Sequence, residues 1–395
     1  MRLRVGVLST GIGTPIRDGV IVVEGERDAA RLAFVGSRRD AQILHPDLPE
    51  RWAGWAASPR PANAHVHLDL SRMPLQHGSY EAFVRAVLAH QREGGRNLAA
   101  ARAGLDEVRG SGVRAIGDVV TDGEVMRTLL DDPELTGVAY WEVVGPDPAQ
   151  ADAIFDRSVA ELRRFRAWQR PGGVRVGLSP HAPHTVSEPL LRKLTALARE
   201  NDLPLQIHVA EAPSERRLHQ SGDGPLRELL GPALASWRPS GRTPVGYLEA
   251  LGVLEARPTL VHGVEVDEAD LAALARHGCR VVHCPRSNRA LGCGRFPWEA
   301  YARHGVEVAF GTDSRGSSPS LDVRDEVAAA AELHGERAHP TALLRAAVHG
   351  GNRVLGARPA RLQVGTSASA WTIWPGPLRR EGGEDGVAND AANDA

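Results

Sequence analysis

The sequence predicts an α/β protein built on a (β/α)8 TIM-type barrel, and three observations carry that expectation. Eight short, β-rich apolar runs recur near residues 61–67, 113–120, 137–144, 174–179, 204–210, 258–262, 280–284 and 306–313. Amphipathic helical stretches separate most of them, at 80–108, 122–131, 150–168, 187–200, 244–255, 267–277 and 321–334. Repeated strand-then-helix units specify a parallel sheet covered by helices, and eight such units suit a closed barrel. Third, an open doubly wound sheet would usually carry a glycine-rich phosphate loop after an early strand. Neither GxGxxG in that setting nor GxxxxGK is found.

Outside the barrel the pattern changes. In the first 60 residues RLRVGVL, GVIVVEG and RLAFVG read as strands between Gly, Asp and Pro turns, with no helical period. Near the other end ASAWTIWP is another strand-like run, and the Gly/Asp/Asn/Ala-rich stretch after Pro377 reads as disordered. The expected division is strand-built flanks at 1–58 and 358–380, a barrel over 59–357 and a disordered tail at 381–395.

Composition excludes several classes. The 395 residues carry a formal net charge of -2, so there is no electrostatic footprint for nucleic acid. No apolar run approaches the roughly 20 residues of a membrane span, and MRLRVGVLST lacks the apolar region of a signal peptide. A cytoplasmic protein is expected. Cys279, Cys284 and Cys293 neither form a disulfide framework nor match a zinc-finger spacing. The chain is rich in histidine, with 16, and Lys193 is its one lysine.

Barrels of this kind place their chemistry at the C-terminal ends of the strands. The first run ends ANAHVHLDL, where His65 and His67 stand two apart and so face the same side of a strand. The third ends at Glu142, and the fourth leads into SPHAPH with His181 and His184. The fifth ends LQIHVAE, giving His208 and, three residues on, Glu211. The sixth ends at His262 and the eighth in VAFGTDS with Asp313. One histidine at a strand end would more often be structural. Imidazoles and a carboxylate recurring at several ends of one barrel suit a divalent metal, zinc or iron. Past the seventh run, VVHCPRSNRALGCG adds His283, Arg286, Asn288 and Arg289, with Cys284 read as a small buried residue.

The segments ANAHVHLDL, SPHAPHTVS, IHVAE, LVHGVEVDE, VVHCPRSN and GTDS follow one another over residues 61–316. In that set and order the chain resembles the amidohydrolase superfamily, in its branch of metal-dependent deaminases and chlorohydrolases of nitrogen heterocycles. ASPRPANAH departs from the family's usual PGLINAH before His65. The resemblance implies a small β-sandwich built from both termini. It also implies one divalent metal held by His65, His67, His208 and Asp313. A metal-bound hydroxide would then attack a ring C–NH2 carbon, and ammonia would leave. Glu211 and His262 would serve the proton transfers, with Asp313 accepting the water proton. A carboxylated lysine bridging two metals is not expected, because Lys193 lies well inside the helix after strand four.

AHVHLDLS together with HCPRSNRALG is most similar to the aminofutalosine deaminases of menaquinone biosynthesis. These act on an adenine ring carrying a ribose and a benzoate-type acid. His181, Glu142 and Asn288 are candidate substrate contacts, and Arg72, Arg286 and Arg289 are candidates for the acid. The alternatives are S-adenosylhomocysteine/adenosine, guanine or cytosine deaminases and triazine-type chlorohydrolases. From another class comes a non-catalytic metal- or purine-binding barrel, whose mark would be a lost ligand or a lost Glu211; all are present. The expected partner is a small heterocycle, with a homodimer allowed.

Overall fold

A computed structural model describes residues 1–26, 29–358 and 361–374. The expected tail at 381–395, and residues 375–380 before it, lie outside the described residues.

The N-terminal segment supplies β1 (Arg2–Leu8), β2 (Ile16–Glu24), β3 (Arg31–Ser37) and β4 (Glu50–Pro59). Successive residues of β2 point to opposite faces. Ile21 packs with Val5, Leu8, Leu32 and Ala57, whereas Val20 and Val22 pack with Phe34 and Ala41 on the other side. Ala41 belongs to a helix, Arg38–Leu44, where the sequence shows no helical period. It has seven residues with only Ala41 buried, too little for a period to register, and Ser37 caps it by accepting from the Asp40 N–H.

The eight apolar runs all become strands: β5 (Asn63–Val66), β6 (Ala115–Val120), β7 (Thr136–Val143), β8 (Val174–Pro180), β9 (Gln206–Val209), β10 (Thr259–His262), β11 (Arg280–His283) and β12 (Glu307–Phe310). They pair in parallel as two four-stranded halves, β5-β6-β7-β8 and β9-β10-β11-β12. Two parallel bridges close the ring. Leu178 meets Leu205 between β8 and the approach to β9, and Val66 meets Asp313 between β5 and the residues past β12. At the second seam a Cβ on Gly311 would stand 2.7 Å from the His65 Cβ, so the approach of those chain ends requires glycine. Small and branched residues such as Ala62, Ala64, Val138, Val261, Val282 and Ala309 fill the interior with Tyr140 and Cys284, making it a core rather than a pore.

After the barrel, β13 (Trp371–Trp374) pairs antiparallel with β4, so both termini share one sheet of order β13-β4-β1-β2-β3. Trp374 Nε1 donates to Ser58 Oγ at 2.9 Å across that seam.

The helices depart from expectation in two ways. The stretch 80–108 is two helices, Tyr80–Arg92 and Leu98–Gly110. The chain breaks at Gly94 (φ +75°), and Asn97 caps the second helix. The helices Pro213–Ser221, Pro225–Leu230 and Pro285–Ala290 were not expected, although each opens on a proline, a residue favoured in the first turn. No helix among the described residues is long and apolar enough to cross a membrane.

Candidate active site and metal centre

The ends of β5, β9 and β12 bring four donor groups together. His208 Nε2 lies 3.2 Å from both His65 Nε2 and His67 Nε2, and Asp313 Oδ1 lies 3.6 Å from each of those two nitrogens. All four residues are buried. The protonation pattern follows from their outer contacts. His65 Nδ1 faces Gln206 Oε1 at 2.7 Å, and His208 Nδ1 faces the main-chain oxygen of His181 at 3.0 Å. Those oxygens only accept, so in the neutral rings the proton sits on Nδ1 and the Nε2 lone pairs point at each other. Burial, reinforced by the neighbouring imidazoles, holds both His208 and His67 well below the ordinary histidine range.

Two converging lone pairs repel unless a cation stands between them. Four ligand atoms held 2.0–2.1 Å from a tetrahedral centre would lie about 3.4 Å apart. The four measured spacings of 3.2–3.6 Å are of that size, so the donor set suits a divalent metal. Asp313 is oriented for this by Ser287 and Ser317, whose hydroxyls donate to its Oδ2 at 2.6 and 2.8 Å. Burial alone would raise its pKa. The imidazoles of His65, His67 and His262 that surround it outweigh that and hold it well below the carboxylate range.

Glu211 and His262 face this cluster. Asn288 Oδ1 accepts from His262 Nδ1 at 2.9 Å, leaving His262 Nε2 3.5 Å from Glu211 Oε2. Burial pushes His262 down to about 4. Burial first, then Asp313 and Glu215, push the Glu211 carboxyl well above its usual range, which favours the protonated acid. Three non-glycine residues with left-handed backbone lie here: Ala210 (φ +53°), His262 (φ +72°) and Asp313 (φ +56°). Such conformations cost about 1–3 kcal/mol each and concentrate at functional sites.

A cavity of about 280 Å³ opens onto these groups. His67, His208, Glu211, His262 and Asp313 line it, together with the expected contacts His181 and Glu142. Its far wall is apolar, built from Tyr80, Phe83, Val84, Val87 and Leu88 of one helix and Leu226 and Leu230 of another.

None of the expected arginines lines this cavity. Arg286 is buried with Nε 2.7 Å from Glu326 Oε1, and its other nitrogens bond Ser320, Asp322 and Asp325. Arg289 is exposed and pairs with Glu332 at 3.2 Å. Arg72 lies in a surface groove with Leu98 and Asp106. Asn288 is buried and orients His262 instead of lining the cavity.

The arginine that does reach the cavity is Arg96, which forks onto Asp69 at 2.9 and 3.2 Å and reaches Glu142 at 3.4 Å. Nothing in the sequence singles Arg96 out from the other arginines. Asp69 lies past the end of β5 in the 3-10 turn Leu68–Leu70, so strand alternation does not mark it either.

The amidohydrolase family profile matches residues 61–374. The chain is 45% identical to an aminodeoxyfutalosine deaminase of Deinococcus radiodurans, over 93% of this chain and 88% of that protein. It is 30% identical to a 5-methylthioadenosine/S-adenosylhomocysteine deaminase of Halobacterium salinarum, over 89% of this chain and 79% of that one. Its fold matches the crystal structure of Helicobacter pylori aminofutalosine deaminase in complex with methylthio-coformycin, with a TM-score of 0.74 at 18% identity, covering 93% and 90% of the two chains.

Proposed function

The chain belongs to the amidohydrolase family as a hydrolase of C–N bonds, and within it we propose a hydrolytic deaminase of aminodeoxyfutalosine, a 6-aminopurine nucleoside. The observation that carries the substrate is the 45% identity to the Deinococcus radiodurans enzyme over nearly the whole of both chains. In the reaction the C6–NH2 bond breaks, a C6–O bond forms from water, and ammonia leaves. The same assignment puts the enzyme in menaquinone biosynthesis.

His65, His67, His208 and Asp313 are the ligands in this reading. Their nitrogen-rich donor set, three imidazoles and one carboxylate, suits zinc. A divalent metal there supplies the Lewis acidity that makes water nucleophilic at neutral pH. The protein's own groups handle the protons. Ionised Asp313 accepts one from the water. Glu211, held protonated by burial, donates to the purine ring nitrogen as charge develops on it. His262, neutral and fixed by Asn288, orients the water with its free Nε2.

A second reading is deamination of methylthioadenosine, and the apolar wall favours it. The only arginine lining the cavity, Arg96, is already paired with Asp69 and Glu142, so a carboxylate tail finds no free cation there among the described residues.

The test is purified enzyme given aminodeoxyfutalosine, methylthioadenosine, S-adenosylhomocysteine and adenosine, with ammonia release and the adenine-to-hypoxanthine absorbance change as readouts. The highest kcat/KM is expected on aminodeoxyfutalosine. A higher value on methylthioadenosine selects the second reading, and no ammonia from any of them overturns both.

A further inference from the structure

A second cluster of metal-ligand side chains lies outside the four-donor centre. His184 sits in the loop after β8, and Glu215 and His219 stand four residues apart on one face of the helix Pro213–Ser221. Ligand atoms of the three lie within 4.8 Å of one another. The residues are buried, with exposures of 2%, 1% and 0%.

The cluster is short of hydrogen bonds. His184 Nδ1, Glu215 Oε1 and both ring nitrogens of His219 are buried without a partner. His184 Nδ1 and Glu215 Oε1 stand 3.8 Å apart, too far for a hydrogen bond. The other Glu215 oxygen is taken, since it accepts from the Glu211 N–H at 2.8 Å. The His219 ring is held in place by Trp237 and Tyr247, each with its centroid 5.3 Å away. Buried polar atoms nearly always find partners, and an unpartnered set converging on one point calls for an ion or a water.

We infer that His184, Glu215 and His219 form a second divalent-metal site, distinct from the centre at His65, His67, His208 and Asp313. Two imidazoles and one carboxylate are a donor set for zinc, cobalt(II) or iron(II). An ion there takes up the orphaned lone pairs and balances a buried carboxylate. Its place in the fold gives it a structural task. It ties the loop that follows His181 to the helix that follows Glu211, fixing two segments that border the substrate cavity. His184 itself lines that cavity, so a remaining coordination position can be reached from it. The site does not depend on the substrate.

The experiment is metal analysis and anomalous diffraction on zinc-replete full-length protein freed of loosely bound ions. The expected result is an anomalous peak between His184, Glu215 and His219 in addition to the one at His65. His219→Leu should lose one equivalent of zinc and melt at a lower temperature than the parent. His65→Ala should lose the other equivalent and keep this one. The inference is overturned if wild-type crystals show no peak at the cluster. It is also overturned if His219→Leu keeps the full metal content and melts higher, because the cluster would then be an unmetallated polar pocket that an apolar side chain improves. The diffraction readout holds even if His219→Leu does not fold.

Discussion

Glu211 Oε2 and His262 Nε2 face each other at 3.5 Å beside a cluster of imidazoles, from adjacent parallel strands that end in left-handed turns. Ala210, just before Glu211, and His262 itself both have positive φ. The strain holds a carboxyl and an imidazole at one cavity without either belonging to the four-donor set.

Glu211→Gln tests the acid role. The amide keeps the size and one hydrogen bond and cannot deliver a carboxyl proton. General acid–base groups contribute about 10²–10⁴-fold, so a loss of kcat of at least that order is expected, with metal content and melting temperature near those of the parent. Turnover near the native rate would make Glu211 a bystander, and loss of metal would make it a ligand.

His65→Ala and His208→Ala test the metal centre. Each removes one of the lone pairs that converge at 3.2 Å. Elemental analysis should show the metal at this centre largely gone from both proteins and turnover lost with it. Retention of that metal in both would remove these histidines from the ligand set.

Much of this arrangement is legible in the sequence, for a physical reason. Parallel strands of a barrel all present their C-terminal ends at one face, so ligand-type residues at the ends of separate runs converge whatever the helices do. That logic reaches His65, His67, His208, His262 and Asp313. It does not reach Arg286. A basic residue just past a strand end reads as a mouth residue, but its partner Glu326 lies 40 positions on in another helix, and such a pairing leaves no periodic trace. Nor does it reach Arg96, whose position depends on the break at Gly94 and on Asp69 in the 3-10 turn after β5. The helix Pro213–Ser221, with Glu215 and His219, is too short and too polar for its period to stand out.

Arg286→Met tests whether Arg286 is structural or a substrate contact. Breaking a buried ion pair from one side typically costs about 3–5 kcal/mol, because the remaining charge is stranded. Burial already pushes Glu326 up to about 7, with Arg286 the main opposing influence. A carboxyl whose folded pKa lies above its unfolded value binds a proton on folding, so the folded state loses ground as pH rises. The melting temperature of Arg286→Met should therefore fall below that of the parent, and by more at pH 8 than at pH 5. KM should stay unchanged in the folded fraction. A raised KM with unaltered stability would restore Arg286 as a substrate contact.

Gln206→Leu separates positioning from ligation. Gln206 is fully buried at the start of β9, where its Nε2 donates to the main-chain oxygen of Ala64 at 3.1 Å and its Oε1 accepts from His65 Nδ1 at 2.7 Å. Together these contacts fix the amide orientation, and through it the His65 tautomer that presents Nε2 to the centre. Leucine fills nearly the same volume and offers no acceptor. The His65 ring is then free to carry its proton on either nitrogen, and its Nδ1–H is left buried without a partner. Partners behind a ligand typically contribute about 10–100-fold to metal affinity, so competition with a chelator should show weakening of that order. Replacement by Glu restores the acceptor for His65 but sets its second oxygen against the Ala64 carbonyl, so it should recover only part of the affinity. If Gln206→Leu binds metal as tightly as the parent, His65 is oriented by the strand alone, and the hydrogen bond to Gln206 is incidental.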